Sequence, residues 1–163
     1  MARKVVKYDE GQWFAVPLRN GGYALGIIVR GRYKTRGGLG FFFGPKFDEI
    51  PTEKETYSKN KDNPILVCHF GDLGIIRGQW PLIQNGKPFY REDWPVPSFH
   101  RILPFPEGKA VIVEYRQDYS GMEAPLRETL TAATEEVINL PEDGLFGSGA
   151  VEIVLTKLLE RSN

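Results

Sequence analysis

An α+β domain is predicted from the sequence: an N-terminal antiparallel sheet, twisted or barrel-like, with two C-terminal helices packed on it. Three observations carry that expectation. Roughly the first hundred residues alternate short apolar runs with Gly, Pro and Asn punctuation, the pattern of strands and tight turns. After Pro125 the apolar residues take on a helical period. The 163 residues show no internal repeat and suffice for one core, so a single domain is expected over residues 1–163, β-rich at 8–116 and helical at 124–161.

The elements follow in order. Trp13–Leu18 is a short apolar run, and Arg19-Asn20-Gly21-Gly22 is a turn cluster that supplies positive φ angles. Tyr23–Val29 resumes with β-branched and aromatic residues, completing a hairpin. Pro17 lacks an N–H and should sit at a sheet edge or bulge. A strand is expected over Leu39–Phe43; its three consecutive phenylalanines cannot all face one side, so at least one must meet a second layer or a partner. Residues 51–64, polar and bounded by prolines, read as a surface loop. Ile65–Phe70 is a continuous apolar run of the kind found in central strands, and Gly71-Asp72 turns the chain into Leu73–Ile76.

The segment Gln79–Arg101 holds four prolines and two tryptophans and should wrap the sheet in extended form. Ala110–Arg116 alternates as a last strand. From Pro125, residues Leu126, Leu130, Ala133, Val137 and Ile138 form one helical stripe, which Pro141–Gly144 ends. Ser148 is an N-cap candidate for a final helix whose buried face is Val151, Leu155, Leu158 and Leu159.

Composition narrows the function classes. Hydrophobic residues make up 41% and charged residues 26%, which are globular values. No run approaches the ~20 apolar residues of a membrane helix, so no membrane association is expected. The basic start, Met1–Lys7, lacks the apolar stretch of a secretory signal. A lone cysteine, Cys68, offers neither a disulfide nor a thiolate cluster, which makes the cytoplasm the default compartment. Net charge is zero but uneven: nine Lys/Arg against four Asp/Glu in residues 1–50, seven against six in 51–106, and five against eleven in 107–163. Such asymmetry can build one basic and one acidic face, or it can cancel across the fold. The zero total argues against a dedicated nucleic-acid binder.

Catalytic patterns are sparse. Cys68 lies in an apolar strand, where a thiol is inert. Gly37-Gly38-Leu39-Gly40 lacks the Lys-Ser/Thr and the helix start of a phosphate loop, and strand bends account better for its glycines. His69, Asp72 and His100 could meet as a metal site, although no familiar ligand spacing supports them; the plainer reading of His69 is a strand-end residue with one satisfied nitrogen. No cofactor is expected, and binding is favoured over catalysis.

The richest binding chemistry lies in Arg77–Ile83 and Tyr90–Arg101. There Arg77, Trp80, Tyr90, Arg91, Asp93, Trp94, Phe99 and Arg101 combine the residue types that dominate interface hot spots. The same residues could stack on nucleic-acid bases, or could pack as outlying core beneath a proline-rich loop.

Four segments in order carry a family resemblance: Gly11–Leu18, Gly22–Gly26, Arg77–Ile83 and Trp94–Phe99. Together, across roughly residues 8–105, the chain resembles immunity protein 26 of bacterial polymorphic-toxin systems, some members of which are labelled as related to the phosphotriesterase HocA. The resemblance implies a cytoplasmic protein that binds and neutralises a cognate toxin. The phosphotriesterase label keeps a second reading open, a small metal-assisted phosphoester hydrolase using His69, Asp72 and His100, although two histidines are few for such a centre.

Overall fold

The computed structural model describes residues 4–161, so the first three residues of the basic Met1–Lys7 run lie outside the described residues. In chain order the strands are β1 (Trp13–Pro17), β2 (Tyr23–Arg32), β3 (Gly37–Phe47), β4 (Leu66–Gly71), β5 (Leu82–Ile83), β6 (Phe99–Ile102), β7 (Lys109–Glu114), β8 (Arg127–Ala132) and β9 (Leu145–Phe146). The helices are α1 (Glu53–Thr56), α2 (Leu73–Ile76), α3 (Glu135–Ile138) and α4 (Ser148–Glu160). A mixed six-stranded sheet runs β5-β1-β2-β3-β4-β9, and an antiparallel three-stranded sheet runs β6-β7-β8. Both sheets have open ends, so the α+β class holds but the barrel-like closure does not.

The larger sheet is the middle layer of three. Strand residues alternate faces, and β1 and β3 are apolar on both. Trp13, Ala15, Leu39, Phe41 and Phe43 join a first core against Phe99, Val111 and Val113 of the smaller sheet. Phe14, Val16 and Phe42 join a second core with Val151, Leu155 and Leu159 of α4. The three phenylalanines are therefore divided between two layers. Cys68 is buried in the second core, and burial pushes its thiol pKa up. Pro17 pairs only with Tyr23, because the cover of the outer edge of β1 by β5 and Pro81 reaches Trp13, Phe14 and the Ala15 N–H and stops short of it.

The helix expected from Pro125 is not formed. Its first half is β8, which pairs with β7 from Arg127↔Glu114 to Ala132↔Lys109, and only Glu135–Ile138 are helical. The reason is arithmetic: a spacing of four, Leu126 to Leu130, suits a helical stripe and one face of a strand equally. Thr129 and Thr131 tip the choice, since β-branched residues favour strands and β7 offers backbone partners. Leu126 and Leu130 consequently stand 58% and 63% exposed. Ala110–Arg116 is correspondingly not the last strand but the centre of the smaller sheet.

Smaller differences follow local capping. Thr52 and Glu55 form a reciprocal cap that starts the one-turn α1 inside the predicted loop. Gly147, not Ser148, caps α4, whose buried face includes Thr156 beside Val151, Leu155 and Leu159, with Leu158 half-buried.

Helix α4 is fastened by polar contacts as well as packing. The Trp80 indole stacks on Phe14 at 5.6 Å between centroids and donates from Nε1 to Glu152 at 2.8 Å. Glu152 also accepts from Arg19 Nε at 3.0 Å, while the Arg19 backbone N–H donates to Thr156 at 2.9 Å. Removing the indole should be severe: Trp80→Ala is expected to cost about 3–5 kcal/mol of unfolding free energy. Trp80→Phe keeps the stack, loses the bond to Glu152 and should cost about 1 kcal/mol. Urea unfolding of the two variants checks that ranking.

Candidate partner-binding face

The β2–β3 hairpin ends in a tightly tied turn. A single 3₁₀ turn, Tyr33–Thr35, links the strands. The Thr35 hydroxyl accepts from the Arg32 N–H at 3.0 Å and lies 2.8 and 2.7 Å from the Arg32 and Gly37 carbonyls. Arg36 occupies the left-handed region at φ 61°, where an L side chain costs on the order of 1 kcal/mol and glycine costs little. Beyond it the chain must pass close to its neighbours. A Cβ at Gly38 would sit 1.8 Å from the Arg30 carbonyl oxygen, so only glycine fits there.

Three adjoining depressions run along this end of the molecule. The largest, about 580 Å³, is lined by Tyr33, Lys34, Arg36, Asp72, Leu73 and Ile76 together with Gly71. A second, of about 340 Å³, shares Tyr33 and Lys34 and adds Lys7, Tyr8, Asp9 and Arg32. A third, of about 370 Å³, shares Asp9 and Arg32 and reaches Glu10, Gly31, Arg91 and Ser120. Five cations and three carboxylates line the set, and two of the carboxylates are already held. Tyr8 Oη donates to Asp72 Oδ2 at 2.8 Å, and burial first, then this bond, raises the pKa of the phenol. Glu10 takes both Arg91 Nε and Nη2, the latter at 2.9 Å, and accepts from the Gly31 N–H at 3.2 Å. That bond to Glu10 holds the Arg91 pKa above its ordinary value. Lys7, Arg32, Lys34 and Arg36 make no salt bridge among the described residues.

The residues picked out from the sequence divide into surface and support. Arg77 is exposed at the end of α2, next to Ile76 of the largest depression. Tyr90 is 56% exposed, and it precedes Arg91 and the exposed Asp93 on a 3₁₀ turn. Trp80, at 0% exposure, Trp94, at 8%, and Phe99 lie in the two cores instead. They hold the surface from beneath, the packing alternative of the sequence reading.

Arg101 belongs to a different cluster, at the join of the two sheets. It contacts Asp143 at 3.2 Å and Glu128 at 3.1 Å, and Asp143 also accepts from the Tyr115 hydroxyl. Behind Tyr115, His69 Nε2 shares a 2.7 Å hydrogen bond with Tyr119 Oη. His100 Nδ1 donates to the Leu140 carbonyl at 2.8 Å. His69, Asp72 and His100 thus have three separate sets of partners. Among the described residues no three His, Cys, Asp or Glu side chains are grouped so that they could hold a metal ion.

The sequence did not single out Lys7, Arg32, Tyr33, Lys34, Arg36 or Leu73. For Lys7, Arg32, Lys34 and Arg36 the one trace was the basic balance of residues 1–50, which gives a sign but no location; Tyr33 and Leu73 left none. Among the described residues no helix is long and apolar enough to cross a membrane.

The family model described as immunity protein 26 matches residues 9–110. No curated protein and no solved structure matches the chain.

The buried histidine sets a pH dependence. Desolvation pushes the His69 pKa down from 6.5 to about 4, against the opposing pull of Asp143. As pH falls, the unfolded chain takes up this proton near pH 6.5 and the folded chain only near 4. The contribution of neutral His69 is therefore complete above pH 6.5 and lost progressively toward pH 4, on the order of 1–3 kcal/mol. Urea midpoints measured across that window should fall for the wild type, and the slope should flatten in His69→Gln.

Proposed function

Because the chain belongs to the immunity protein 26 family, we propose that it binds and neutralises a bacterial toxin through a protein–protein interface. The family match carries this reading. The matched residues, 9–110, contain the Arg32–Arg36 turn, the Leu73–Arg77 helix end and the Tyr90–Asp93 turn, the three exposed stretches around the depressions.

The chemistry of that face supports a binding role. Tyrosine and arginine anchor many protein interfaces, and Tyr90 and Arg91 stand side by side at one end of it. Glu10 fixes the Arg91 guanidinium through two nitrogens, so little side-chain freedom is lost when a partner docks. Arg30, buried just below, donates to the Gln117 and Val29 carbonyls at 3.0 and 2.7 Å and stiffens the strand end. In this reading the protein acts in the cytoplasm, occluding the toxin's active surface before it meets its target.

Co-expression with candidate toxins encoded in the same genome tests the reading. Growth should be rescued, and the purified proteins should form a complex. Tyr90→Ala should weaken that complex by about 1–2 kcal/mol while leaving the unfolding midpoint unchanged. Absence of both rescue and complex formation would refute the proposal.

A further inference from the structure

We infer that the three joined depressions receive one acidic, extended segment of the toxin, its carboxylates lying over Arg32, Lys34 and Arg36 and an apolar side chain seated against Leu73 and Ile76. This rests on the reading of the chain as a toxin binder and names the part of the toxin that it recognises.

Charge carries the argument first. Of the carboxylates around these depressions, Glu10 is held by Arg91 and Asp72 by Tyr8, which leaves Asp9 against Lys7, Arg32, Lys34 and Arg36. Unpaired cations of one sign along a concave surface attract an anionic partner and speed its encounter. Shape adds the second element. The largest depression has the volume of a small-ligand pocket, and its walls include the half-buried Tyr33 and Ile76 and the 46% exposed Leu73. An apolar wall beneath a cationic rim fits an amphipathic peptide better than a bare anion.

Preorganisation is the third element. The Tyr33 N–H donates to the Tyr8 carbonyl at 3.0 Å and the Val6 N–H to the Ile76 carbonyl at 3.0 Å, tying the N-terminal stretch to both walls. Arg36 stands at a left-handed position where glycine would be less strained, so the fold bears a backbone cost in exactly the turn that presents a cation.

Two other occupants fit less well. A nucleic acid would need an open aromatic face for base stacking, but the Lys7 ammonium lies over the Tyr33 ring, 5.8 Å from its centre. A second copy of the chain could offer its acidic C-terminal third. Five of its eleven carboxylates are already paired internally, however: Glu114 with Arg127, Asp118 with Arg116, Glu128 and Asp143 with Arg101, and Glu152 with Arg19.

The test measures association of the toxin domain found by that co-expression, once purified, with four forms of the protein, at low and high salt. The forms are the wild type, Lys34→Glu/Arg36→Glu, Arg36→Gly, and Lys109→Glu/Lys157→Glu as a control on exposed lysines outside the depressions. Arg36→Gly removes a cation while relieving its backbone, and an unchanged urea midpoint separates its loss of affinity from unfolding. The double reversal should lower affinity about tenfold or more, mainly through slower association, and abolish the salt dependence; Arg36→Gly should show part of this effect and the control none. Wild-type binding and protection that persist unchanged in the double reversal would overturn the inference and leave the immunity reading intact. Equal loss in the control would also overturn it, as would displacement of the toxin by a single-stranded oligonucleotide or a self-association that the reversal abolishes while toxin binding survives. If the wild type neither binds nor protects, the immunity reading fails and this inference fails with it.

Discussion

A β-hairpin with both faces buried cannot stand alone, and the β2–β3 pair is buried on both. Leu25, Ile27, Phe41 and Phe43 look toward the smaller sheet, while Ala24, Ile28 and Phe42 look toward α4. Each side needs a cover of its own, which is why the chain spends residues 99–132 on one and helix α4 on the other. The double burial also gives the far end of the hairpin its stiffness. A turn at the tip of a strand pair clamped from two directions has few ways to move, and the Thr35 hydrogen bonds remove more of them. The basic turn therefore sits at the end of a strand pair packed on both faces and is tied by the Thr35 hydroxyl.

How much of this could be read from the residues depended on whether the pattern was local. The Phe41–Phe43 run required two layers whatever the remainder of the fold, because successive strand side chains point to opposite faces. The final helix was equally plain, with four aliphatic positions on one stripe. The segment from Pro125 misled because Leu126 and Leu130 satisfy both periods, and the deciding partner, β7, lies a dozen residues away along the chain. The open sheet edges were not legible either, since closure depends on where β5 and β9 come to rest.

The candidate face was legible only in part, for a related reason. Tyr90, Arg91 and Arg77 stand in segments whose composition resembles an interface, but so do Trp80 and Trp94, and nothing in a residue's identity tells an anchor from a core aromatic. Burial separates them. Arg32, Lys34 and Arg36 were hidden in the opposite way. Charged residues in a turn between strands are the ordinary pattern of a solvated loop, and only the approach of α2 and the N-terminal stretch turns that loop into the wall of a cavity.

The contact of α4 with the larger sheet bears on what the basic turn depends on. Residues 9–110 carry the family likeness, yet the second core is closed by Val151, Leu155 and Leu159 and locked by Glu152 through Trp80 and Arg19. Phe14, Phe42, Phe70 and Trp80 share that core with the helix, which covers this face of the sheet bearing the basic turn. The sheet that carries the basic turn within residues 9–110 is thus covered on one face by a helix that lies outside the matched stretch.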